Sequence, residues 1–364
     1  MANLEIRGLS KQFKTGKVLD RVSLTAENGE IIAVFGPSGS GKTVLLRLIA
    51  GVEQPDEGQI LLGGRDVTGH APEARGVGMA FQNFALFPHM SAFDNVASAL
   101  TAHNVPRDVI RRKVEKVASL LKIEHVLGHA PRELSNGQKQ RTALARALVA
   151  EPKILLLDDP LRNVDAKLRY EMRLELPSLL KASGSTVLYV TQDYKEAMAL
   201  GDRIAVLSDR DFAQVARPAE IYGKPATSNV ASLFGDPTIN LTPVEPLASP
   251  TGPKIEIGGA SLSLPPGYSH MAGTRCILGL RAESIVVEDA GSPENIPVEV
   301  AAVTPLNERT LLLLRTNDGH EILASEPGTD ESPRRHGPAF ARFNADAVLL
   351  FDAASGRRIE PQAA

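Results

Sequence analysis

The chain has 364 residues, of which 43% are hydrophobic and 23% are charged, so its composition is that of a globular protein and excludes a disordered or fibrous one. A formal net charge of −3 provides no overall field that would attract nucleic acid. The single cysteine, Cys276, cannot form an internal disulfide, which is typical of a reducing compartment. At this length we expect two domains.

No apolar run reaches the roughly 18 residues that a membrane-spanning helix needs. The first residues carry charges and lack the apolar stretch of a secretory signal. We therefore expect a cytoplasmic protein that, if it works at a membrane, docks there on a partner.

In the first two thirds of the chain, short apolar runs alternate with helical patterns. Four runs have the size of strands that are covered on both faces: 31–35, 154–157, 186–190 and 204–207. A helical insert occupies about 91–150, and its apolar residues at helical spacing predict a buried stripe of Ile110, Val114, Val117 and Leu121. This alternation predicts an α/β domain over 1–235.

The remaining residues, 236–364, follow a different pattern. They hold more than half of the 25 prolines and several short apolar runs that are separated by Pro, Gly, Asn and Asp. The runs 310–315 and 320–324 flank Asn317-Asp318-Gly319, a turn sequence that accepts positive φ, and so predict a hairpin. We predict a small all-β domain here.

A phosphate-binding loop is predicted directly after the strand at 31–35. The pattern G-x-x-x-x-G-K-[ST] lies between this strand and an apolar helical run, a context that favours nucleotide binding over an ordinary glycine-rich turn. Lys42 would pair with the β- and γ-phosphates, and the Thr43 hydroxyl would bind Mg²⁺. The predicted ATP-binding residues of the loop are Gly36, Pro37, Ser38, Gly39, Ser40, Gly41, Lys42 and Thr43.

An acidic residue follows the apolar run at 154–157. Asp158 there would place a fixed negative charge beside the phosphate loop, where Mg²⁺ needs an acceptor. A solvated aspartate that only ends a buried strand is the alternative. With the loop present, we predict that Asp158 is an acid of the metal site.

A later segment resembles the signature sequence of ABC transporter ATPases, whose usual form is LSGGQ. Residues 134–141 read Leu-Ser-Asn-Gly-Gln-Lys-Gln-Arg and open a helical run, so a positive helix end could bind an anion there. A helix with an ordinary N-cap is the alternative. In this family two cassettes pack head to tail, and each signature clamps the ATP of the other cassette. The resemblance therefore implies contacts to a partner's ATP from Ser135, Asn136, Gly137 and Gln138.

Three more positions resemble motifs of the same family. Gln82 lies in a segment similar to the Q-loop, Asp165 in one similar to the D-loop, and Phe13 where the family stacks an aromatic ring on adenine. The resemblance implies that Phe13, Gln82 and Asp158 bind ATP together with the phosphate loop. It also implies that Mg²⁺ is held by Thr43, Gln82 and Asp158.

The end of the predicted α/β domain also has a counterpart. Residues 216–235 resemble the tail of importer ATPases of the maltose type, which continue into a small OB-like regulatory domain. This resemblance implies a P-loop NTPase cassette of α/β fold followed by an OB-like β domain, in an importer for carbohydrates or polyols. It implies a second ABC ATPase, two transmembrane permease subunits and, indirectly, a periplasmic or extracellular substrate-binding protein as partners. The chain would then lie peripherally on the cytoplasmic face of the inner membrane.

Four residues depart from the family's pattern. Asp159 stands where the family has the glutamate that polarises the attacking water, and Gln192 where it has the histidine that contacts the γ-phosphate. Arg162 replaces a small D-loop serine, and Asn136 replaces the first glycine of the signature. An aspartate carboxylate sits about 1.5 Å further back than a glutamate's, and glutamine carries no charge. We therefore predict, with Asp159 and Gln192 in the catalytic positions, a site that binds Mg-ATP and hydrolyses it slowly.

A weakened site predicts a heterodimer in which an intact ATPase supplies the missing glutamate and histidine. Three alternatives remain: a working homodimer that tolerates these changes, a non-hydrolytic regulatory subunit, and a soluble ABC protein of nucleic-acid repair or translation. The importer-like tail argues against the last of these, and we expect no nucleic-acid partner.

Three phenylalanines, Phe81, Phe84 and Phe87, flank Gln82 at the start of the helical insert. The family receives the short cytoplasmic helices of its permease subunits at this place, so the resemblance implies a docking surface. Apolar residues at a spacing of three are also typical of a protein core. We expect the segment as a whole to dock.

Overall fold

The computed structural model describes residues 2–250, 252–291, 295–328 and 336–362, and the chain divides into two compact units, Met1–Glu220 and Ile221–Ala364. The strands of the first unit are β1 (Ala2–Phe13), β2 (Gly16–Glu27), β3 (Ile31–Phe35), β4 (Glu57–Leu62), β5 (Arg65–Asp66), β6 (Val77–Ala80), β7 (Ile154–Asp158), β8 (Thr186–Thr191), β9 (Arg203–Ser208) and β10 (Asp211–Ala216). Its helices are α1 (Lys42–Ala50), α2 (Ala92–Ala102), α3 (Arg107–Leu120), α4 (Asn136–Leu148), α5 (Ala166–Ser183) and α6 (Tyr194–Leu200).

The centre of the first unit is a six-stranded sheet with the strand order β10-β9-β3-β8-β7-β6. Its strands are parallel except for β10, which pairs antiparallel with β9. A second, antiparallel sheet has the order β2-β1-β4-β5. Every residue of β3, β7 and β8 is buried, as the apolar runs predict for strands covered on both faces.

Alternate residues of β7 face two different cores, because successive side chains of a strand point to opposite faces. Leu155 and Leu157 pack in the cluster that holds the apolar faces of α2 to α5, whereas Ile154 and Leu156 pack with α1 and the antiparallel sheet. The predicted stripe on α3 is confirmed, since its members are buried in the first cluster: Ile110, Val114, Val117 and Leu121. Helices on both faces leave the carboxyl edge of the sheet open to form a site.

The second unit is built mainly of antiparallel strands. They are β11 (Asn240–Val244), β12 (Lys254–Ile257), β13 (Ala260–Ser263), β14 (Cys276–Leu280), β15 (Ile285–Glu288), β16 (Ile296–Pro305), β17 (Arg309–Thr316), β18 (Glu321–Pro327), β19 (Gly337–Phe343), β20 (Leu349–Asp352) and β21 (Arg358–Ile359). Their sheets have the orders β11-β14-β20-β21, β12-β13 and β15-β19-β16-β17-β18. The predicted hairpin is β17 with β18, and its turn residue Gly319 has φ of 85°. The predicted fold class, an α/β P-loop cassette followed by a small OB-like β unit, is confirmed.

The two units divide fifteen residues earlier than the sequence indicates, between Glu220 and Ile221 instead of after residue 235. Helix α7 (Pro218–Gly223) crosses this point, and α8 (Ser228–Leu233) lies beyond it. Arg281 of the β unit donates a hydrogen bond to the Tyr222 carbonyl oxygen at 2.8 Å and stacks 3.7 Å from the Tyr222 ring centroid. Residues 221–235 therefore pack with the β unit, although their sequence resembles the tail of the cassette.

No helix within the described ranges is long and apolar enough to cross a membrane.

Candidate nucleotide site

A cleft lies at the carboxyl edge of the parallel sheet. The strands β3, β8 and β7 are neighbours, and their register pairs Phe35 with Thr191 and Val190 with Asp158, so the loops that follow them meet at one edge. The cleft has a volume of about 350 Å³. We call it the nucleotide cleft, and its lining is Phe13, Val18, Ser38, Gly39, Gly41, Lys42, Thr43, Val44, Gln82, Asp158, Asp159, Arg162, Val190 and Gln192.

The phosphate loop joins β3 to α1 in a conformation that needs glycine. Gly41, the residue before α1, has φ of 104°, which L side chains rarely adopt, and a Cβ there would lie 3.2 Å from the Val18 carbonyl oxygen. Helix α1 has no side-chain N-cap and no acidic residue in its first turn. Its first N–H groups therefore face the cleft at the positive end of the helix, which suits an anion.

The loop lysine is held by the main chain of its own loop. Lys42 is only 5% exposed, and its Nζ donates hydrogen bonds to the carbonyl oxygens of Gly36 at 2.8 Å and Pro37 at 2.6 Å. A third contact joins Nζ to the Ser40 hydroxyl at 3.3 Å. These contacts fix the ammonium group at the cleft, where a phosphate could meet it without ordering a flexible side chain.

The predicted metal ligands meet across two strands. The Thr43 hydroxyl donates a hydrogen bond of 2.9 Å to Oδ1 of Asp158, and Gln82 lines the same cleft. Burial raises the pKa of Asp158, while the Thr43 hydrogen bond opposes that shift. A hydroxyl, a carboxylate and an amide oxygen are the hard oxygen donors that Mg²⁺ prefers, so this donor set fits the ion.

The two predicted catalytic residues also line the cleft. Asp159 is 7% exposed, and its backbone has φ of 45°, which is uncommon for a residue other than glycine. Its N–H donates to the Val190 carbonyl oxygen at 2.9 Å, which holds the ends of β7 and β8 together. Burial raises the pKa of Asp159 to about 6, with the Arg162 guanidinium acting in the opposite direction. Gln192 is exposed immediately beyond β8.

A buried carboxylate anchors the loop that carries Gln192. Oε2 of Glu196 accepts hydrogen bonds of 2.9 Å from the hydroxyls of Tyr189 and Thr191, and the Thr191 hydroxyl accepts one of 3.0 Å from the Asp193 N–H. Because the side chains of Tyr189, Thr191 and Glu196 are buried, these contacts hold the loop that places Gln192 at the cleft.

The signature residues lie away from this cleft, at the beginning of α4. The Ser135 hydroxyl oxygen accepts a hydrogen bond of 3.3 Å from the Gln138 N–H, and Gln138 Oε1 accepts one of 2.8 Å from the Ser135 N–H. The hydroxyl oxygen is therefore a helix cap instead of a fully free group. A Cβ on Gly137 would lie 2.2 Å from Cδ2 of Leu168, so a larger residue there would require the Leu168 side chain to move. Ser135 and Asn136 are exposed.

The predicted D-loop acid also lies outside the cleft. Asp165 is exposed and caps α5, with its Oδ1 accepting a hydrogen bond of 3.0 Å from the Leu168 N–H. Neither Asp165 nor the signature residues line the cleft of their own chain. If these residues contact a nucleotide, it is one held elsewhere.

The three phenylalanines face different surroundings. Phe81 and Phe87 line a groove of about 770 Å³ between β6, α2 and the end of α4, which we call the Phe87 groove. Phe84 lies instead beside α4 and β7. Phe87 is 42% exposed, and the Arg146 guanidinium lies 5.6 Å from its ring centroid. Arg146 also donates hydrogen bonds to the carbonyl oxygens of Ala85 at 2.6 Å and Phe84 at 3.0 Å.

Several residues that line the cleft carry no sequence signal for a site role. Val18 reaches the cleft because β1 and β2 form a hairpin that pairs Phe13 with Gly16. The hairpin could have been found from the Lys14-Thr15 turn and the glycine that follows it, but the contact of Val18 with the cleft depends on the strand register. Arg162 was named only as a departure from the family's pattern, although its place three residues after Asp159 in one turn puts it at the cleft.

Comparisons with known proteins agree with this geometry. The ABC transporter family model matches residues 19–162. The sn-glycerol-3-phosphate import ATP-binding proteins UgpC of Chromobacterium violaceum and Cereibacter sphaeroides are each 38% identical, with 100% and 99% of this chain and 98% and 100% of theirs covered. A solved dimeric ATP-binding cassette in a post-hydrolysis state, bound to ADP and Pi, is 29% identical with a TM-score of 0.54, and covers 59% of this chain and 98% of its own. The chain therefore belongs to the ATP-binding subunits of ABC importers, which are transport ATPases.

Proposed function

We propose that this subunit binds Mg-ATP in the nucleotide cleft, closes on a second ATPase in a head-to-tail dimer, and couples that closure to the import of a polyol phosphate. The observation that carries the proposal is the convergence of Lys42, Thr43 and Asp158, from β3–α1 and β7, on one cleft. The cargo is inferred from the relatives, which are named for sn-glycerol-3-phosphate, a member of the predicted carbohydrate or polyol class.

In this proposal each end of the cleft meets one part of the nucleotide. Phe13 stacks on the adenine at the open end, and the N–H groups before α1 bind the phosphates together with Lys42. Thr43, Gln82 and Asp158 would hold Mg²⁺, which when bound neutralises charge on the terminal phosphates.

We further propose that hydrolysis in this cleft is slow. Asp159 is shorter than the glutamate of related ATPases, and its φ of 45° and its hydrogen bond to Val190 fix its backbone, so the carboxylate cannot advance by a main-chain shift. Gln192 is neutral and sits on the anchored loop. A misplacement of about 1 Å costs on the order of 10²-fold in rate.

The dimer follows from the separation of the two anion-binding elements. Ser135 to Gln138 begin α4 outside the cleft, so they are available to a nucleotide that a second subunit holds. We propose that the second subunit is an intact ATPase and that the two subunits form a heterodimer.

The Phe87 groove is the proposed docking site for the permease subunits. Its wall is mostly apolar, although Glu73, His103 and Arg146 also line it, and Phe87 presents an exposed aromatic ring. Such a groove suits a short helix that presents apolar side chains. Docking there would make the chain a peripheral protein at the cytoplasmic face of the inner membrane, with a substrate-binding protein on the other side as an indirect partner.

The test is a comparison of binding with turnover in the purified full chain. We expect saturable, Mg²⁺-dependent ATP binding by equilibrium titration, and phosphate release well below that of the same chain mixed with the second ATPase. The absence of ATP binding would overturn the whole proposal. Rapid hydrolysis by the chain alone would overturn the slow site and the heterodimer, and would leave a working homodimer.

A non-hydrolytic regulatory subunit is the second candidate, favoured by the same two residues, Asp159 and Gln192. The two candidates differ in one outcome. For a regulatory subunit, restoring glutamate at 159 and histidine at 192 would not raise turnover, because the rest of the cleft would no longer support hydrolysis.

A further inference from the structure

One charged side chain at the nucleotide cleft has no strong partner. Arg162 lies in the turn between β7 and α5, and its side chain is 49% exposed. Its only ion pair among the described residues joins Nη1 to Oδ2 of Asp159 at 3.7 Å, which is too long for a hydrogen bond. A guanidinium carries five N–H donors in a planar fork, so this group has its donors available.

The backbone beneath Arg162 is firmly held. Its N–H donates to the Asp159 carbonyl oxygen at 3.2 Å, and Arg169 donates to the carbonyl oxygens of Leu161 at 3.2 Å, Arg162 at 3.2 Å and Val164 at 3.1 Å. The side chains of Leu161 and Val164 are buried. Since the turn is already ordered, a ligand would have to order only the Arg162 side chain, which keeps the entropic cost of binding low.

Arg162 is also close to the buried lysine of the phosphate loop. Burial lowers the pKa of Lys42, the carboxylates of Asp159 and Asp158 oppose this, and the Arg162 guanidinium lowers the pKa further. Two cations that repel each other across a cleft bind a polyanion placed between them more tightly than either would alone. Gln192, which lines the same cleft, adds no charge.

We infer that Arg162 is a nucleotide-discriminating residue: its guanidinium binds the terminal phosphate of ATP held by this chain's own phosphate loop and supplies the positive charge that Gln192 lacks. This rests on the proposed function. A guanidinium fork matches two phosphate oxygens, whereas its contact with the buried Asp159 carboxylate, at 3.7 Å, is too long for a hydrogen bond. ADP has no terminal phosphate at that place, so Arg162 favours ATP over ADP.

The test is an equilibrium titration of the full chain, with Mg²⁺, against ADP and against a non-hydrolysable ATP analogue. We expect Arg162→Ser to weaken analogue binding by about tenfold and to leave ADP binding unchanged, because one charge-assisted contact is lost. Arg162→Lys keeps the charge but lacks the planar fork, so its affinity for the analogue should lie between those of Arg162→Ser and the unaltered chain. The matched control is Arg112→Ser, on the exposed face of α3, which should change neither affinity.

Arg162→Gln, which keeps most of the side-chain length without the charge, repeats the test if the serine variant unfolds. The inference would be overturned if these variants bound both nucleotides equally more weakly, bound the analogue as well as the unaltered chain does, or bound it more tightly. Arg162 would then make no specific contact with the terminal phosphate. If the unaltered chain binds neither nucleotide, the proposed function itself fails, and that result is distinct from a loss of discrimination.

Discussion

The two ends of the nucleotide cleft differ in how they are built. At the phosphate end, Lys42 and Thr43 are fixed by hydrogen bonds to main-chain and carboxylate oxygens. At the hydrolytic end, Asp159 has a long ion pair with Arg162, and Gln192 is exposed and neutral. The ends belong to different segments, β3–α1 and the loops after β7 and β8. Most of the residues that would bind the nucleotide are therefore not the ones that would cleave it.

Removing the loop lysine should give the largest effect. We expect Lys42→Ala to weaken ATP binding by about 100-fold or more, because a buried cation at the phosphates is lost. The measurement is a titration with Mg-ATP. Lys116→Ala on exposed α3 is the control and should bind normally. Unchanged affinity in Lys42→Ala would show that the phosphate end is not where the nucleotide binds.

Rebuilding the hydrolytic end should have the next largest effect. We expect the double variant Asp159→Glu with Gln192→His to raise phosphate release on the order of 10²-fold, since it advances the carboxylate and adds a titratable cation. ATP affinity should hardly change. Asp108→Glu, exposed on α3, serves as the control for lengthening a carboxylate. Turnover that does not rise would instead favour a regulatory subunit.

A substitution in the Phe87 groove shows whether this third region acts independently of both ends of the nucleotide cleft. We expect Phe87→Ala to weaken association with permease-containing membranes by about fivefold, as truncation of an exposed aromatic anchor does, while ATP affinity stays the same. Co-sedimentation with membranes measures the first quantity. Tyr170→Ala, an exposed aromatic on α5, should sediment like the unaltered chain. Equal loss of binding to membranes and ATP would mean that Phe87 is a packing residue.

Sequence patterns predicted the elements whose signal is local. The strands β3, β7 and β8 are continuous apolar runs, and the phosphate loop is a contiguous motif, so both could be predicted. The different surroundings of Phe84 and Phe87 could not, because Phe84 and Ala85 have φ of 61° and 46° and break any helical period. The division at residue 220 reflects long-range contacts such as that of Arg281 with Tyr222, which no local pattern encodes.

The smallest expected effect concerns the anchor beneath Gln192. Burial raises the pKa of Glu196, although the hydrogen bonds from Tyr189 and Thr191 oppose this. The folded chain thus keeps the proton to higher pH than the unfolded chain does, so stability falls as pH rises above the ordinary glutamate value. Glu196→Gln removes this titration. The stability of the variant relative to the unaltered chain should therefore be greater at pH 8 than at pH 4.5. The gain should be small, because the carboxylate also lies in the first turn of α6, where the helix dipole favours its charged form.

Thermal unfolding at the two pH values measures this difference, with the exposed Glu171→Gln as the control. A stability difference that is the same at both values would show that Glu196 is charged in the folded chain as readily as in the unfolded one. In that case the buried carboxylate would impose no cost on the hydrolytic end. The two ends of the cleft would then differ only at Asp159 and Gln192. The double variant Asp159→Glu with Gln192→His would in that case suffice to remove the difference.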